Sequence, residues 1–224
     1  MSGIVLNACK AYDDKTVFSH LRLDISHGEI LCVLGASGAG KTTLLNMLAG
    51  LTPFDGRMQG LPQRVAYAFQ EPRLLENLTV EKNLSYAGVR VERVDEVLED
   101  LEIGDCKRKR PAQLSGGEKQ RVNFARAVAS GAELLLLDEP FSSLDIALKA
   151  RLMRAFVQTQ KVEKQTVVWV THDLEEAWAV SDRIIVLKDG EIVYDLRPER
   201  EKTGVYGAFD KQKQELISSL IAEK

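Results

Sequence analysis

The chain carries, early in its length, the uninterrupted stretch Gly35-Ala36-Ser37-Gly38-Ala39-Gly40-Lys41-Thr42. This stretch fits the phosphate-loop pattern G-x-x-x-x-G-K-[ST] at every position. An apolar segment of strand length (29–34) precedes it, and a segment typical of a buried helix (43–49) follows it. In that context the backbone N–H groups of the loop and of the helix start converge on an anion. The sequence therefore predicts a phosphate site, with Lys41 reaching the β- and γ-phosphates and the Thr42 hydroxyl binding Mg²⁺.

The bulk composition limits the classes of protein to which the chain can belong. Its 224 residues, 45% of them hydrophobic, suffice for one large domain with a proper core. The net charge of −3 offers no basic field for nucleic acid. Three scattered cysteines argue against a disulfide framework and against a zinc site. Neither a secretory signal nor an apolar stretch of the roughly 20 residues that span a membrane is present, so we expect a cytoplasmic protein whose membrane role, if any, comes through a partner.

The order of the predicted elements indicates an α/β domain. Strands are predicted at 4–10, 17–26, 65–69, 134–137 and 166–171, and a hairpin with an Asp-Gly turn at 184–195. Helical spacing dominates from about 80 to 130, and the last segment is amphipathic. We predict one domain over 1–224, with a helical block inserted at about 77–130 and a C-terminal helix at about 210–224.

An acidic pair ends the most apolar of these strands. Four leucines, 134–137, lead into Asp138 and Glu139. Open α/β sheets place their ligands at the carboxyl ends of the strands. Asp138 is suited to hold Mg²⁺, and Glu139 beside it could polarise an attacking water as a general base.

A second glycine-containing helix start then identifies the family. It reads Leu114-Ser115-Gly116-Gly117-Glu118-Lys119-Gln120-Arg121. Physically it is a capped helix N-terminus and a second candidate anion site. L-S-G-G followed by Q-R resembles the signature of the nucleotide-binding subunits of ABC transporters. The resemblance covers about residues 1–200 and implies a phosphate-loop NTPase (RecA-like) core, an antiparallel β subdomain and an inserted α-helical signature subdomain.

The resemblance also implies a role for each site residue. Gln70 matches the Q-loop glutamine, Asp145 the D-loop aspartate, His172 the switch histidine and Tyr12 the aromatic residue that stacks on adenine. The catalytic group is then Glu139, His172 and Gln70, and the Mg²⁺ group is Thr42, Gln70 and Asp138. The implied ATP-binding residues are Tyr12, Gly35, Ser37, Gly38, Ala39, Gly40, Lys41, Thr42, Thr43, Ser115, Gly116, Gly117, Asp138 and Asp145.

The same resemblance predicts the assembly. Two copies would pair head to tail, so that Ser115, Gly116 and Gly117 of one copy face the phosphate loop of the other across ATP. The pair would sit on the cytoplasmic face of the membrane, attached to permease subunits and served by a substrate-binding protein. Leu74, Leu75 and Leu78, in the segment after Gln70, either pack inside the domain or receive the permease.

Three functions compete. The segments 69–75 and 171–177 resemble bacterial importers of the nitrate, sulfonate and taurine type. Lipoprotein-releasing and cell-division ATPases are small separate subunits of the same kind and remain an alternative. A soluble ATPase acting on DNA or translation is disfavoured, because no coiled coil, zinc module or second cassette is present in the sequence. We therefore predict the ATP-hydrolysing subunit of a small-solute importer.

Overall fold

The computed structural model describes residues 3–13, 15–198 and 216–218. Its contacts divide the chain into two units, one combining residues 1–61 with 168–224 and the other comprising residues 62–167. Along the chain the elements are β1 (Ile4–Tyr12), β2 (Lys15–Ile25), β3 (Ile30–Leu34), α1 (Lys41–Leu48), β4 (Asp55–Gln59), β5 (Val65–Ala68), α2 (Val80–Tyr86), α3 (Val91–Asp100), α4 (Gly116–Val128), β6 (Leu134–Asp138), α5 (Ile146–Glu163), β7 (Thr166–Val170), α6 (Leu174–Val180), β8 (Arg183–Lys188) and β9 (Glu191–Leu196). Two 3-10 turns, Gly104–Cys106 and Pro111–Gln113, lead into α4.

An antiparallel sheet of three strands forms in the first unit, with β1 between β2 and β4. Alternate residues of β1 are buried, as the period-2 pattern requires. Ile4 lies opposite Ile25 and Leu6 opposite Leu23, so the apolar faces of both strands coincide. The predicted antiparallel β region is confirmed.

The first unit also holds the strand that leads into the glycine-rich loop. β3 is buried at every position and pairs in parallel with β8, from Leu31 opposite Arg183 to Leu34 opposite Val186. β8 returns through a tight turn into β9. Asp189 and Gly190 have φ of 48° and 78°, both positive, which is the geometry of the predicted type I′ hairpin.

The second unit combines a parallel strand pair with helices α2 to α5. β5 and β6 run in register from Val65 opposite Leu134 to Ala68 opposite Leu137. All five residues of β6 are buried, as predicted for a strand covered on both faces. The helical texture expected from about 80 appears as α2, α3 and α4, whereas the boundaries of a separate helical block stay a prediction. No helix in the described part of the chain combines the length and the apolarity that crossing a bilayer requires.

Two segments differ from the sequence-based expectations in extent. The turn residues from 52 to 56 do end α1, but β4 begins within them at Asp55. Its five residues are largely exposed and polar, so the sequence lacks the apolar alternation that predicts a strand. β4 forms because its backbone pairs with the edge of β1. Of the C-terminal helix predicted at about 210–224, residues 216–218 are helical and Leu216 is buried, while the rest lies outside the described residues.

Candidate nucleotide site

The glycine-rich loop of the first unit joins the end of β3 to the start of α1. Gly40 immediately precedes α1 with a φ of 99°, and a Cβ there would come within 2.8 Å of the Phe18 ring. A Cβ on Gly35 would collide with the backbone carbonyl oxygen of Leu187. Glycine is therefore required at both ends of the loop for its path. The result is a tight loop that leads directly into a helix N-terminus, the arrangement that favours anionic phosphate.

Lys41 is held inside this loop. Its side chain is 8% exposed, and Nζ donates hydrogen bonds to the carbonyl oxygens of Gly35 at 2.7 Å and Ala36 at 2.8 Å. Ser37, Gly38 and Thr42 are exposed on the same loop and helix start. A fixed cation surrounded by accessible polar groups fits the predicted phosphate site, with Ala39 and Thr43 completing the segment.

Tyr12 and His172 belong to the same unit as the loop. The Tyr12 ring is 44% exposed at the end of β1, with its hydroxyl 3.4 Å from Thr52 Oγ1 and Lys10 Nζ 4.2 Å from the ring centroid. An exposed aromatic face of this kind can stack on a base. His172 is exposed just beyond β7, where the Thr171 N–H donates to the Val33 carbonyl at 3.3 Å. His172 thus follows a chain segment bonded to β3, the strand that enters the loop.

Three predicted residues come together in the second unit. Asp138 is the last residue of β6 and is 3% exposed. Gln70 follows β5, and its Nε2 donates to Glu139 Oε2 at 3.5 Å. Because β5 and β6 are parallel and in register, their carboxyl ends meet. Glu139 has a φ of 47°, an unfavourable backbone conformation for a residue with a Cβ.

Tyr67 is a neighbour of the acidic pair that the sequence did not single out. Its ring stacks on Phe69 with centroids 3.9 Å apart, and Arg73 lies 4.0 Å from the Phe69 centroid. Burial, followed by the negative charge of Asp138, raises the pKa of Tyr67 well above its ordinary range. Tyr67 therefore stays a neutral phenol beside the Asp138 carboxylate.

The signature helix α4 starts with a complete capping box. Ser115 Oγ accepts the Glu118 N–H at 3.2 Å, and Glu118 Oε2 accepts the Ser115 N–H at 2.6 Å. Ser115 and Gly116 are exposed, whereas Gly117 is half-buried, where a Cβ would lie 3.4 Å from the Leu144 side chain. The N-terminus of α4 is thus preorganised and accessible, as an anion-binding end requires.

Two further residues, to which the sequence analysis assigned no role, contact the Glu118 carboxylate. The Cys106 thiol donates to Glu118 Oε1 at 3.0 Å, and Lys109 Nζ lies 3.4 Å from the same oxygen. The Cys106 bond, followed by the bonds to Ser115, lowers the pKa of Glu118 to about 2. Burial and the bond to Glu118 raise the pKa of Cys106, so it remains a thiol that donates.

We expect Glu118→Gln to destabilise the protein at neutral pH and to lose that effect in acid. Because the folded-state pKa of Glu118 lies below its usual 4.5, its carboxylate contributes stability above that value. That contribution is lost as pH falls through 4.5 toward about 2. A carboxylate at a helix N-terminus contributes up to about 1 kcal/mol, or roughly 2–4 °C in Tm. Urea unfolding of both proteins between pH 7 and pH 3 checks this, and a gap that does not narrow in acid would contradict it.

Asp145 caps the next helix. Its Oδ1 accepts the Leu148 N–H at 3.0 Å at the start of α5, and backbone N–H donors lower the pKa of this exposed carboxyl. The structure therefore gives Asp145 a clear capping function. Its predicted role in linking two nucleotide sites stays a prediction.

Comparison with known proteins establishes the family. Residues 18–142 match the ABC transporter family model, which is more than half of the chain. The chain is 38% identical over 217 residues to an aliphatic sulfonates import ATP-binding protein of Pseudomonas fluorescens, covering 93% of this chain and 83% of that protein. It is 43% identical over 186 residues to the corresponding protein of Granulibacter bethesdensis, covering 81% and 77%. The chain belongs to the ABC transporter family as an ATP-binding subunit.

Other relatives and solved structures agree. An Fe(3+) ions import ATP-binding protein of Fusobacterium nucleatum is 38% identical over 213 residues, with 86% of this chain and 57% of that protein covered. A dimeric, post-hydrolysis structure of the ATP-binding cassette MJ0796 with ADP and Pi superposes with a TM-score of 0.74 at 27% identity, covering 87% of this chain and 98% of that one. The predicted α/β phosphate-loop fold is confirmed, and the chain is an ATPase.

Proposed function

We propose that this chain is the motor subunit of a bacterial importer of a small solute. The observation that carries the proposal is the pairing, in one ABC-type chain, of a phosphate loop at α1 with an exposed, capped signature helix at α4. The relatives named for import support this direction of transport over a lipoprotein-releasing or cell-division role. A soluble ATPase acting on DNA or translation has no support in the relatives compared.

In this function the chain supplies positioning and charge. Lys41 and the start of α1 bind the phosphates, and Tyr12 stacks on the adenine. Glu139 accepts a proton from the attacking water, Gln70 orients that water beside Glu139, and His172 contacts the γ-phosphate. Each role is assigned by the family resemblance, and the 3.5 Å contact between Gln70 and Glu139 supports the shared task of those two.

The family resemblance assigns to three residues a Mg²⁺ ion that would arrive with ATP. Asp138, Gln70 and Thr42 offer a carboxylate, an amide oxygen and a hydroxyl, which are the oxygen ligands that Mg²⁺ prefers. When bound, the ion neutralises phosphate charge. Asp138 is buried, and the Tyr67 phenol beside it stays neutral, so Tyr67 adds no negative charge next to this carboxyl group.

The subunit works as a head-to-tail pair. One copy alone provides the loop side of an ATP site, while Ser115, Gly116 and Gly117 of the second copy provide donors from the opposite side. The solved cassette MJ0796 is dimeric, which supports this arrangement. Two such copies would attach to permease subunits on the cytoplasmic face of the membrane and act with a substrate-binding protein.

The segment after Gln70 is our candidate permease contact. Leu74 is 9% exposed and belongs to the core, whereas Leu75 and Leu78 are half-buried. The fully buried Asn83 side chain fixes the backbone of this segment. Its Oδ1 accepts the Leu75 N–H at 2.8 Å, and its Nδ2 donates to the carbonyls of Leu75 and Leu78. The backbone is therefore anchored while two leucine side chains remain partly accessible.

We expect Leu75→Asp and Leu78→Asp to abolish copurification with the permease while basal ATPase activity survives. Leu74→Asp is the matched control: it places an unpaired charge in the core and should cost about 3 kcal/mol or more of stability. Tm is measured on the isolated subunit and copurification on the membrane complex. Unfolding of all three variants would show that the segment is core and that the permease docks elsewhere.

The proposed function as a whole is tested by reconstitution. The purified chain should hydrolyse ATP, and the chain with its permease in vesicles should couple hydrolysis to solute uptake. Aliphatic sulfonates are the first solutes to try, because relatives at 38% and 43% identity carry that name. ATP-driven release of lipoprotein from vesicles, with no solute uptake, would favour the alternative.

A further inference from the structure

Two amide side chains lie on the buried face of α4. Gln120 and Asn123, one helical turn apart, are 4% and 1% exposed. Burying an amide is costly unless it finds hydrogen-bond partners. Gln120 Nε2 donates to the backbone carbonyl of Glu139 at 3.2 Å, and Asn123 Nδ2 donates to the backbone carbonyl of Phe69 at 2.8 Å. Both amides thus fix backbone outside their own helix.

The two carbonyls that they hold lie just past the end of the strand pair. The register of β5 with β6 ends at Ala68 opposite Leu137. Beyond that point β5 and β6 no longer pair with each other, and side chains of α4 form hydrogen bonds to the backbone instead. Glu139 needs such a bond, because its φ of 47° is unfavourable for a residue with a Cβ and persists only if its surroundings hold it. Its carbonyl accepts the Ser142 N–H at 3.3 Å as well as Gln120.

The two anchored carbonyls adjoin a specific pair of side chains. Glu139 is held directly, and Gln70 follows immediately after the Phe69 carbonyl that Asn123 holds. Gln70 Nε2 and Glu139 Oε2 are 3.5 Å apart, so a small shift of either backbone point would change their alignment. The helix that sets both points is the one that begins at Ser115.

Packing alone does not account for these amides. Apolar side chains of similar shape, leucine at 123 and methionine at 120, could fill the same positions without any polar group to satisfy. Asn123 Oδ1 finds no hydrogen-bond partner among the described residues, which makes this amide costly as a mere filler. A positional role for its Nδ2 bond explains why it is there.

We propose that α4 is a strut in which Gln120 and Asn123 position the Gln70–Glu139 pair relative to the signature end of the same subunit. The proposal rests on the roles that the proposed function gives Gln70 and Glu139. Gln120 and Asn123 are positioning residues, since they act through the two side chains that meet the water.

The first test removes the donors and keeps the shape. We expect the double variant Gln120→Met with Asn123→Leu, in the full chain, to lower kcat for ATP at least about tenfold with KM changed by less than about twofold, because small misplacements of catalytic groups lower rate more than binding. The matched control is Gln165→Met. Gln165 is 6% exposed and donates to the carbonyls of Val128 and Ala132, at the far end of α4. The control should lose stability without losing kcat.

The second test asks whether Asn123 acts through Gln70. In a Gln70→Ala background, Asn123→Leu should lower kcat much less than it does in the wild-type background, since the side chain that it positions is gone. The proposal would be overturned if Asn123→Leu lowered kcat equally in both backgrounds. It would also be overturned if Gln165→Met, with the same Tm as the double variant, lowered kcat by the same factor. Failure of the proposed function looks different: the wild-type chain would not hydrolyse ATP, or Glu139→Gln would keep full turnover.

Discussion

Replacing Glu139 by glutamine should lower ATP turnover by about two to four orders of magnitude, the range that a general base contributes. The amide has nearly the same shape but cannot accept a proton from water. Its backbone anchors, the bonds from Gln120 and Ser142 to the carbonyl, are unchanged by the substitution. Binding of ATP should survive, because the phosphate loop belongs to a different part of the chain. With hydrolysis blocked, the head-to-tail pair should accumulate with ATP bound.

Two measurements on the purified protein check this expectation. Steady-state phosphate release reports turnover, and size-exclusion chromatography with ATP reports the trapped pair. Glu133→Gln is the matched control: Glu133 precedes the same strand, and its exposed carboxylate pairs with Arg64 at the surface. It should behave as wild type. Near wild-type turnover by a Glu139→Gln pair would remove Glu139 from its assigned role.

Much of the fold could be predicted because the decisive segments are local patterns. An apolar run predicts a buried strand both at the four leucines before Asp138 and at β7. The Asp189-Gly190 dipeptide likewise predicts a hairpin turn. β4 could not be found this way. Its sequence is polar, and it becomes a strand only because β1 has a free edge at that point.

The candidate site also combines features that a motif in the sequence reveals with contacts that only the structure reveals. The family resemblance grouped Gln70 with Asp138 and Glu139, whereas the pairing of β5 with β6, which brings their carboxyl ends together, is visible only in the structure. The hydrogen bonds of Gln120 and Asn123 depend on partners 19 and 54 positions away in sequence, which no local pattern contains. One signal was available: these two residues share a helical face with Phe124 and Ala127, at spacings of three, four and seven, where amides are unexpected.

The thiol behind the capping box was missed for a related reason. Cys106 was one of three scattered cysteines, and its sequence context suggested no partner. In the structure the turn at Gly104–Cys106 brings it to Glu118, twelve positions on, where it supports the capping carboxylate. Its role follows from the path of the loop rather than from its spacing to other cysteines.

Mixing two inactive variants should restore ATPase activity if the signature acts on the partner's nucleotide. Lys41→Ala removes the cation of the phosphate loop, and Ser115→Arg places a bulky charged side chain at the exposed start of α4. Each variant alone should fall by at least about 100-fold, as expected when a charge-stabilising group is lost or obstructed. A mixed pair, however, contains one site with an intact loop from one chain and an intact signature from the other.

The size of the recovery follows from the geometry of head-to-tail pairing. At equal concentrations half of randomly formed pairs are mixed and each has one intact site, so the mixture should reach about a quarter of wild-type activity if single sites turn over independently. Melting curves are needed for each variant, since Ser115→Arg also removes a helix cap that is worth about 1 kcal/mol. Differently tagged copies, captured in sequence, establish that mixed pairs form. If mixed pairs form and no activity returns, either the signature does not act on the partner's ATP or one intact site cannot turn over alone. A covalently linked pair with two intact loops and a single Ser115→Arg substitution separates the two explanations. The linked pair should be inactive only if one intact site cannot turn over alone.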